Sequence, residues 1–294
     1  MKARKRTPRQ TWKAISLAAA LTAVVALAPR PSVATQLTPE TARAFDQYVS
    51  AKEARANRDL AAKKNFLYID ALPQAQRDQA YAKLHQGQIL TQRDDECSSP
   101  GCTSIPGGLI HDWIGVVFVP GISIPRALAT LQDYDHDAGY YPSEVVKSKL
   151  LAKSGDEFRI YLRLKQVQVI VVVLDTEYDI RYTHVDRDHV CARSYSIRVA
   201  EVDHPGAPDE RDEPAGNDHG FLWRLDSYWR FYQADGGVYI QCDAVSLTRD
   251  VPVGLGWLIG SFIEKIPAAS LRSTLAETRT ALLDNSSSTK ENSQ

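Results

Sequence analysis

Four acidic residues raise the first chemical question. Asp133, Asp135 and Asp137 alternate along the chain, and Glu144 stands twelfth counted from Asp133, which is the oxygen-ligand spacing of a calcium loop. The pattern fails at the sharp turn: Ala138 holds the sixth position, Gly139 comes one place late, and Pro142 interrupts the loop. No metal is therefore expected. His111 and Asp112 are neighbours in a strand-like run, where adjacent side chains point to opposite faces, so they do not form an acid-base pair. The seven histidines show no H-E-x-x-H spacing and there is no G-x-S-x-G elbow. Gly254, Gly256 and Gly260 come after Pro252 and do not join a strand to a phosphate-cradling helix. The residues assign no catalytic group and no cofactor.

Three strand arginines, Arg198, Arg224 and Arg230, leave two readings open. Facing a cavity, an arginine holds a carboxylate or phosphate bidentately. On the outer sheet face it pairs across strands, here with Asp226, Asp243 or Glu177. The aromatics are read by alternation. One face of F-L-W-R-L-D-S-Y-W-R-F carries Phe221, Trp223, Leu225, Ser227, Trp229 and Phe231 and is expected to look inward. Leu174, Tyr178 and Tyr182 share a second face, and Tyr195, Ile197 and Val199 a third. Such aromatics either fill a core or line a ligand site. Cys97 and Cys102 enclose S-S-P-G, whose Pro-Gly turn brings two thiols together, so a local disulfide is expected there. Cys191 and Cys242 read as small buried hydrophobes.

The elements that position these residues are read from caps and periodicity. Thr38-Pro39-Glu40 opens a helix carrying Phe45, Tyr48, Val49 and Lys52 on one face to about Leu60, and a second helix runs from Pro73 to about His85. Both have little apolar surface and are expected to dock on the larger C-terminal part of the chain. Residues 95–108 form a linker loop. Ile110 to Val119 reads as a strand, and Ile124 to Leu131 and Ser143 to Leu150 as short helices. Five strand-like segments come next: 158–165, 169–185, 190–202, 221–233 and 238–247. Asp235-Gly236-Gly237 makes a tight hairpin turn between the last two. Gly256 to Leu283 is helical, either one helix kinked at Pro267 or two in series, and a polar tail over 284–294 is expected to be disordered.

That order, together with G-G-L-I-H-D-W-I-G-V-V-F-V-P-G, L-Q-D-Y-D, G-F-L-W-R-L-D-S-Y-W-R, D-G-G-V-Y and L-T-R-D-V-P-V-G-L-G-W-L-I, resembles the START-like superfamily, and within it a group of uncharacterised exported bacterial members. The resemblance covers 109–283 and leaves the N-terminal segment 35–94 unaddressed. It implies an α+β helix-grip fold, in which a curved antiparallel sheet wraps a long C-terminal helix around a cavity. It also implies a hydrophobic small molecule or lipid as the partner. The candidate ligand-binding residues are Tyr178, Tyr182, Arg198, Trp223, Trp229 and Arg230. One alternative is a cyclase or dehydratase using His111 or Asp243 in the same cavity; another is a structural module whose N-terminal helices dock a partner.

The 294 residues carry a net charge of −1, which averages two unlike parts. Met1 to Ala34 holds seven basic and no acidic residues, a 15-residue apolar run and a small-residue Ser-Val-Ala end, the three parts of a secretory signal. That run rises about 22 Å as a helix, short of the roughly 30 Å hydrocarbon core, and cleavage after Ala34 is expected. The remainder, 28 basic against 36 acidic residues, is an acidic exported domain with a charge of −8, periplasmic or secreted. No later segment is long and apolar enough to span a membrane, and an acidic surface repels nucleic-acid phosphates.

Overall fold

A computed structural model of the protein describes residues 35–62, 64–94, 104–167, 171–250 and 256–291, with side chains at 36–250 and 266–285 within those ranges. The expected leader and the expected Cys97–Cys102 bridge lie outside the described residues.

A two-residue strand β1 (Thr35–Gln36) precedes helix α1 (Pro39–Ala61), whose first turn is closed by the Thr38 hydroxyl accepting from the Thr41 amide at 3.1 Å. A single 3₁₀ turn (Tyr68–Ala71) leads into α2 (Gln74–His85). Short strands β2 (Leu90–Arg93) and β3 (Ser104–Ile105) then pair with the long β4 (Gly108–Pro120), so the end of the expected linker belongs to the sheet. Helix α3 (Ile124–Leu131) comes next, then a 3₁₀ turn and the four-residue α4 (Asp137–Tyr140).

The remaining strands are β5 (Val145–Ser154), β6 (Glu157–Val167), β7 (Val171–His184), β8 (His189–Asp203), β9 (Arg211–Asp212), β10 (Asn217–Asp218), β11 (Arg224–Ala234) and β12 (Gly237–Arg249), before helix α5 (Gly256–Glu291). Three expectations are corrected. Residues 145–150, read as part of a helix over 143–150, belong instead to the edge strand β5 paired to β6, where β-branched Val145 and Val146 and alternating Lys147 and Lys149 suit a ladder better than a helix face. The last helix, expected as one kinked helix or two in series at Pro267, is one element, and it continues to Glu291, inside the tail expected to be disordered. Tyr195, Ile197 and Val199 do not share a face, because an irregularity opposite Glu177 and Tyr178 shifts the register of β8.

The main sheet is antiparallel with order β2-β4-β12-β11-β8-β7-β6-β5; β3 also pairs with β4, and β9 with β8. Asp235 and Gly236 both have positive φ, which gives the β11–β12 hairpin the left-handed turn that matches strand twist. Alternation divides the sheet into two packed faces. On the inner face Val117, Val119, Phe231 and Ile240 meet α3 and α5, with Leu271, Leu275 and Leu282 as the α5 contribution. On the outer face Phe45 of α1 meets Ile110, Val245 and Leu247, and Leu84 of α2 meets Val116, Phe118 and Tyr239. An antiparallel sheet with a long C-terminal helix against one face and N-terminal helices against the other is an α+β helix-grip fold.

Candidate functional site

The inner face is not filled. Between the sheet and α5 lies a cavity of about 660 Å³, within the range of small-molecule sites. Its apolar wall includes Leu131 at the end of α3, Ile160 and Leu162 on β6, Leu174 and Ile180 on β7, and Leu225 on β11. The small side chains Ala192, Ser194, Ser227 and Ala244 leave space where larger residues would close the core. Trp113 on β4 and Trp229 on β11, the strands that flank β12, both face it.

Polar groups enter this wall at few points. The Tyr134 and Tyr182 hydroxyls share a hydrogen bond of 2.8 Å, and the Tyr141 hydroxyl bonds that of Thr278 on α5 at 3.1 Å. The Trp229 indole donates to the Ser227 hydroxyl at 3.1 Å. Burial pushes the Tyr178 phenol up to about 12. Its hydroxyl makes no hydrogen bond among the described residues, and Thr176 beside it is committed to the Leu162 carbonyl. Asp137 also lines the cavity at 6 % exposure. Burial, helped by the nearby charges of Asp133 and Asp135, raises its carboxyl to about 8, so it carries a proton at neutral pH.

Of the residues singled out by sequence, the cavity brings together Tyr178, Tyr182 and Trp229. It does not include Trp223, Arg198 or Arg230. Trp223 precedes the first residue of β11, and its ring packs on the outer face with Phe45, Val245 and Leu247 while its indole donates to Asp218 at 3.0 Å. Alternation counted through it therefore fails, although it holds from Leu225 to Phe231. Arg198 pairs with Asp212, and Arg230 donates to the Phe66 carbonyl at 2.6 Å with its guanidinium over the Phe66 ring. Arg224 donates to the Trp223 carbonyl. None of the three pairs with the strand carboxylates expected. Instead Asp226 accepts from the Ser196 amide and hydroxyl.

His111 and Asp243 are on opposite faces. His111 is buried against Thr248, with a ring nitrogen 3.0 Å from its hydroxyl; burial and the charge of Arg93 lower it to about 4, which keeps it neutral. Asp243 lies under α1, where Lys52 stands among three carboxylates: 2.6 Å from Asp94, 2.7 Å from Asp112 and 2.9 Å from Asp243. Tyr48 adds a hydrogen bond to Asp112 at 2.7 Å. Those carboxylates are spaced as a metal ion would require, but the Lys52 ammonium occupies the place of the ion. Burial alone would depress Lys52; the charges of Asp243, Asp112 and Asp94 more than reverse this and hold it above an ordinary lysine. Burial pushes Asp112 and Asp243 upward against the pull of Lys52.

The calcium-like spacing disperses in three dimensions. Asp133 bonds the His136 ring, Asp135 takes the Leu150 amide, and Asp137 lines the cavity. Cys242 is a buried thiol in the cavity wall and Cys191 a half-buried one. Sequence reasoning missed two residues. Lys52 sat in plain view as the charged member of an otherwise apolar helical stripe. Asp137 was masked by the loop pattern that included it.

No family model matches the chain, and no curated protein matches it. Solved structures do align with it. A STAR-related lipid transfer protein from Xanthomonas axonopodis is 17% identical, with 66% of this chain and 98% of that one covered, at a TM-score of 0.43. Human STARD10 is 10% identical over 75% of this chain and 84% of its own, at 0.41. The Zhui aromatase/cyclase from a Streptomyces species is 12% identical over 60% and 93%, at 0.38. The helix-grip class of this chain rests on its sheet order and on the packing of α5.

Proposed function

We propose that this chain is an exported binding protein that carries an apolar small molecule or lipid in the cavity between the sheet and α5. The observation that carries the reading is the cavity itself: about 660 Å³ walled mainly by aliphatic and aromatic side chains, on a sheet whose outer face is closed by α1 and α2. A core of this size would close if closure were free, since interiors pack densely. Small residues at 192, 194, 227 and 244 keep it open. The basic and apolar pattern of Met1 to Ala34 supports export. The alternative of an enzyme using His111 or Asp243 in the cavity has less support, since neither residue is part of the cavity wall: His111 bonds Thr248 and Asp243 pairs with Lys52 under α1.

Native mass spectrometry of the protein made with its leader tests both parts. The expected result is a chain that starts after Ala34 and carries a discrete adduct which organic solvent removes. Ala244→Phe, which fills the cavity from β12, should lose the adduct while stability changes by under about 1 kcal/mol, since the added ring enters empty space. A bare chain that also fails to take up 1-pyrenemethanol would overturn the binding reading, and a retained leader would overturn the export reading.

A further inference from the structure

Among the described residues, Asp137 is the carboxyl of the cavity wall that the fold leaves without a counterpart. It is 6 % exposed, lines the cavity, and makes no hydrogen bond or ion pair through its carboxyl among the described residues. Other buried carboxyls among the described residues meet a cation or a hydrogen-bond donor: Asp112 and Asp243 meet Lys52, Asp175 meets Arg163, Glu201 meets His219, Asp226 accepts from Ser196, and one oxygen of Asp218 accepts from the Gly220 amide and the Trp223 indole. An unanswered buried carboxyl costs stability unless something else arrives to meet it.

The surroundings define what that would be. Three phenols, of Tyr134, Tyr141 and Tyr182, are close enough for the Asp137 charge to bear on each. Aromatic faces and hydroxyls around a carboxyl suit an organic cation, which gains from ring quadrupoles and from charge pairing against a mostly apolar wall. The other charges of the cavity wall point the same way. Besides Asp137 they are Glu144, Asp250 and Glu277 against one arginine, Arg249, which lies over the Phe221 ring. An anionic head would meet carboxyls here, and an ammonium would meet complementary charge.

We propose that the Asp137 end of the cavity is an amine-binding subsite, and that the ligand is an apolar molecule bearing a basic nitrogen. The inference rests on the binding reading above and specifies its ligand class. As the ammonium enters, the O–H bond of the Asp137 carboxyl breaks, its proton leaves to solvent, and the resulting carboxylate pairs with the ligand N–H groups. One proton is released for each amine bound at neutral pH. The groups that set this exchange are Asp133 and Asp135 on the same segment, the three phenols, and Glu144 and Glu277 across the cavity.

The test uses 1-pyrenemethylamine, 1-pyrenemethanol and 1-pyrenecarboxylate, three probes of one size, titrated by energy transfer from Trp113 and Trp229. At pH 8 the amine should bind at least tenfold more tightly than the alcohol, and the carboxylate most weakly. An alkylammonium stays charged across this range, so amine affinity should rise towards tenfold per pH unit between pH 6 and 8 and then level, while the alcohol stays flat. Asp137→Asn should bring the amine down to the alcohol and remove the slope. An amine no tighter than the alcohol, or a preference that survives Asp137→Asn, overturns the inference and leaves the cavity reading standing. Failure of all three probes to bind overturns both. Should Asp137→Asn not fold, the pH slope of the unaltered protein decides alone: a flat amine profile rejects the proposal.

Discussion

The two faces of the sheet handle buried carboxylates in opposite ways. Under α1, the buried Asp112 and Asp243 and the partly exposed Asp94 surround one lysine at 2.6 to 2.9 Å, and a tyrosine hydroxyl completes the group. On the cavity side, Asp137 sits among phenols with no cation. The first arrangement fixes an element: Lys52 comes from α1, Asp94 lies just past β2, Asp112 is on β4 and Asp243 on β12, so the cluster ties the N-terminal helix to the middle of the sheet. The second fixes nothing and leaves a polar group facing empty volume. Burial is similar on the two sides, so it does not separate structural from ligand-facing charge in this molecule. Whether the fold supplies an opposite charge or a hydrogen-bond donor does: Asp218 and Asp226 meet no lysine or arginine, yet each accepts hydrogen bonds from its neighbours.

The comparison is most easily broken at Lys52. Lys52→Met keeps the length of the side chain and removes the ammonium, leaving Asp112 and Asp243 buried without their counter-charge. The expected loss is about 3–5 kcal/mol, the usual cost of removing one partner from a buried ion pair. Urea unfolding at pH 7 measures it. The loss should shrink as pH falls and the carboxyls take up protons. A change below about 1 kcal/mol would mean that α1 is held by Phe45 and its apolar neighbours and that the cluster is incidental.

The cavity side is sharpened by pH. The carboxyl of Asp137 lies at about 8 in the folded chain against 3.8 in the unfolded one, so the folded state holds the proton more tightly. Its contribution is fully present below about pH 4, declines as pH rises, and is gone above about pH 8. Between pH 5 and 7 the decline amounts to about 2–3 kcal/mol from this residue. Asp218 and Asp226, each raised to about 6 mainly by burial, add decline in the lower part of the same window. The measurement is therefore the difference between the unaltered protein and Asp137→Asn across that range. Parallel profiles would show that Asp137 ionises freely, and the contrast between the two faces would fail.

How much of this was legible in the sequence depends on what each residue answers to. The five long strands β6, β7, β8, β11 and β12, the α1 cap and the Asp235-Gly236 turn obey local rules, and they stand where periodicity and turn chemistry put them, whereas the two-residue β9 and β10 carry no such signal. Tyr178, Tyr182 and Trp229 are reached by alternation along uninterrupted strands. Trp223 is not, because the ladder begins one residue after it, and a strand boundary has no period to read. The Lys52 cluster and the isolation of Asp137 join residues distant in sequence, and only the packed sheet brings them together or keeps them apart. Residues 145–154 mark the same limit, since pairing with β6 decides a segment whose own pattern is short and ambiguous.

The smallest expected effect concerns the arginines that a cavity reading invites. Arg198 pairs with Asp212, and both are about two-thirds buried at the margin of the sheet, with side-chain exposures of 36 % and 32 %. A pair this accessible is worth about 0–1 kcal/mol. Arg198→Ala should therefore cost no more than that in urea unfolding and leave the affinity for 1-pyrenemethanol unchanged, because the side chain is not part of the cavity wall. Raising the salt concentration should shrink even that cost, since partly exposed charges are screened. The outcome matters because Arg198 shares its strand with Ala192 and Ser194, which do line the cavity. A several-fold loss of probe binding in Arg198→Ala would show that the irregularity in β8 transmits an outer-face change to the inner wall, and the two faces would then be coupled through a single strand.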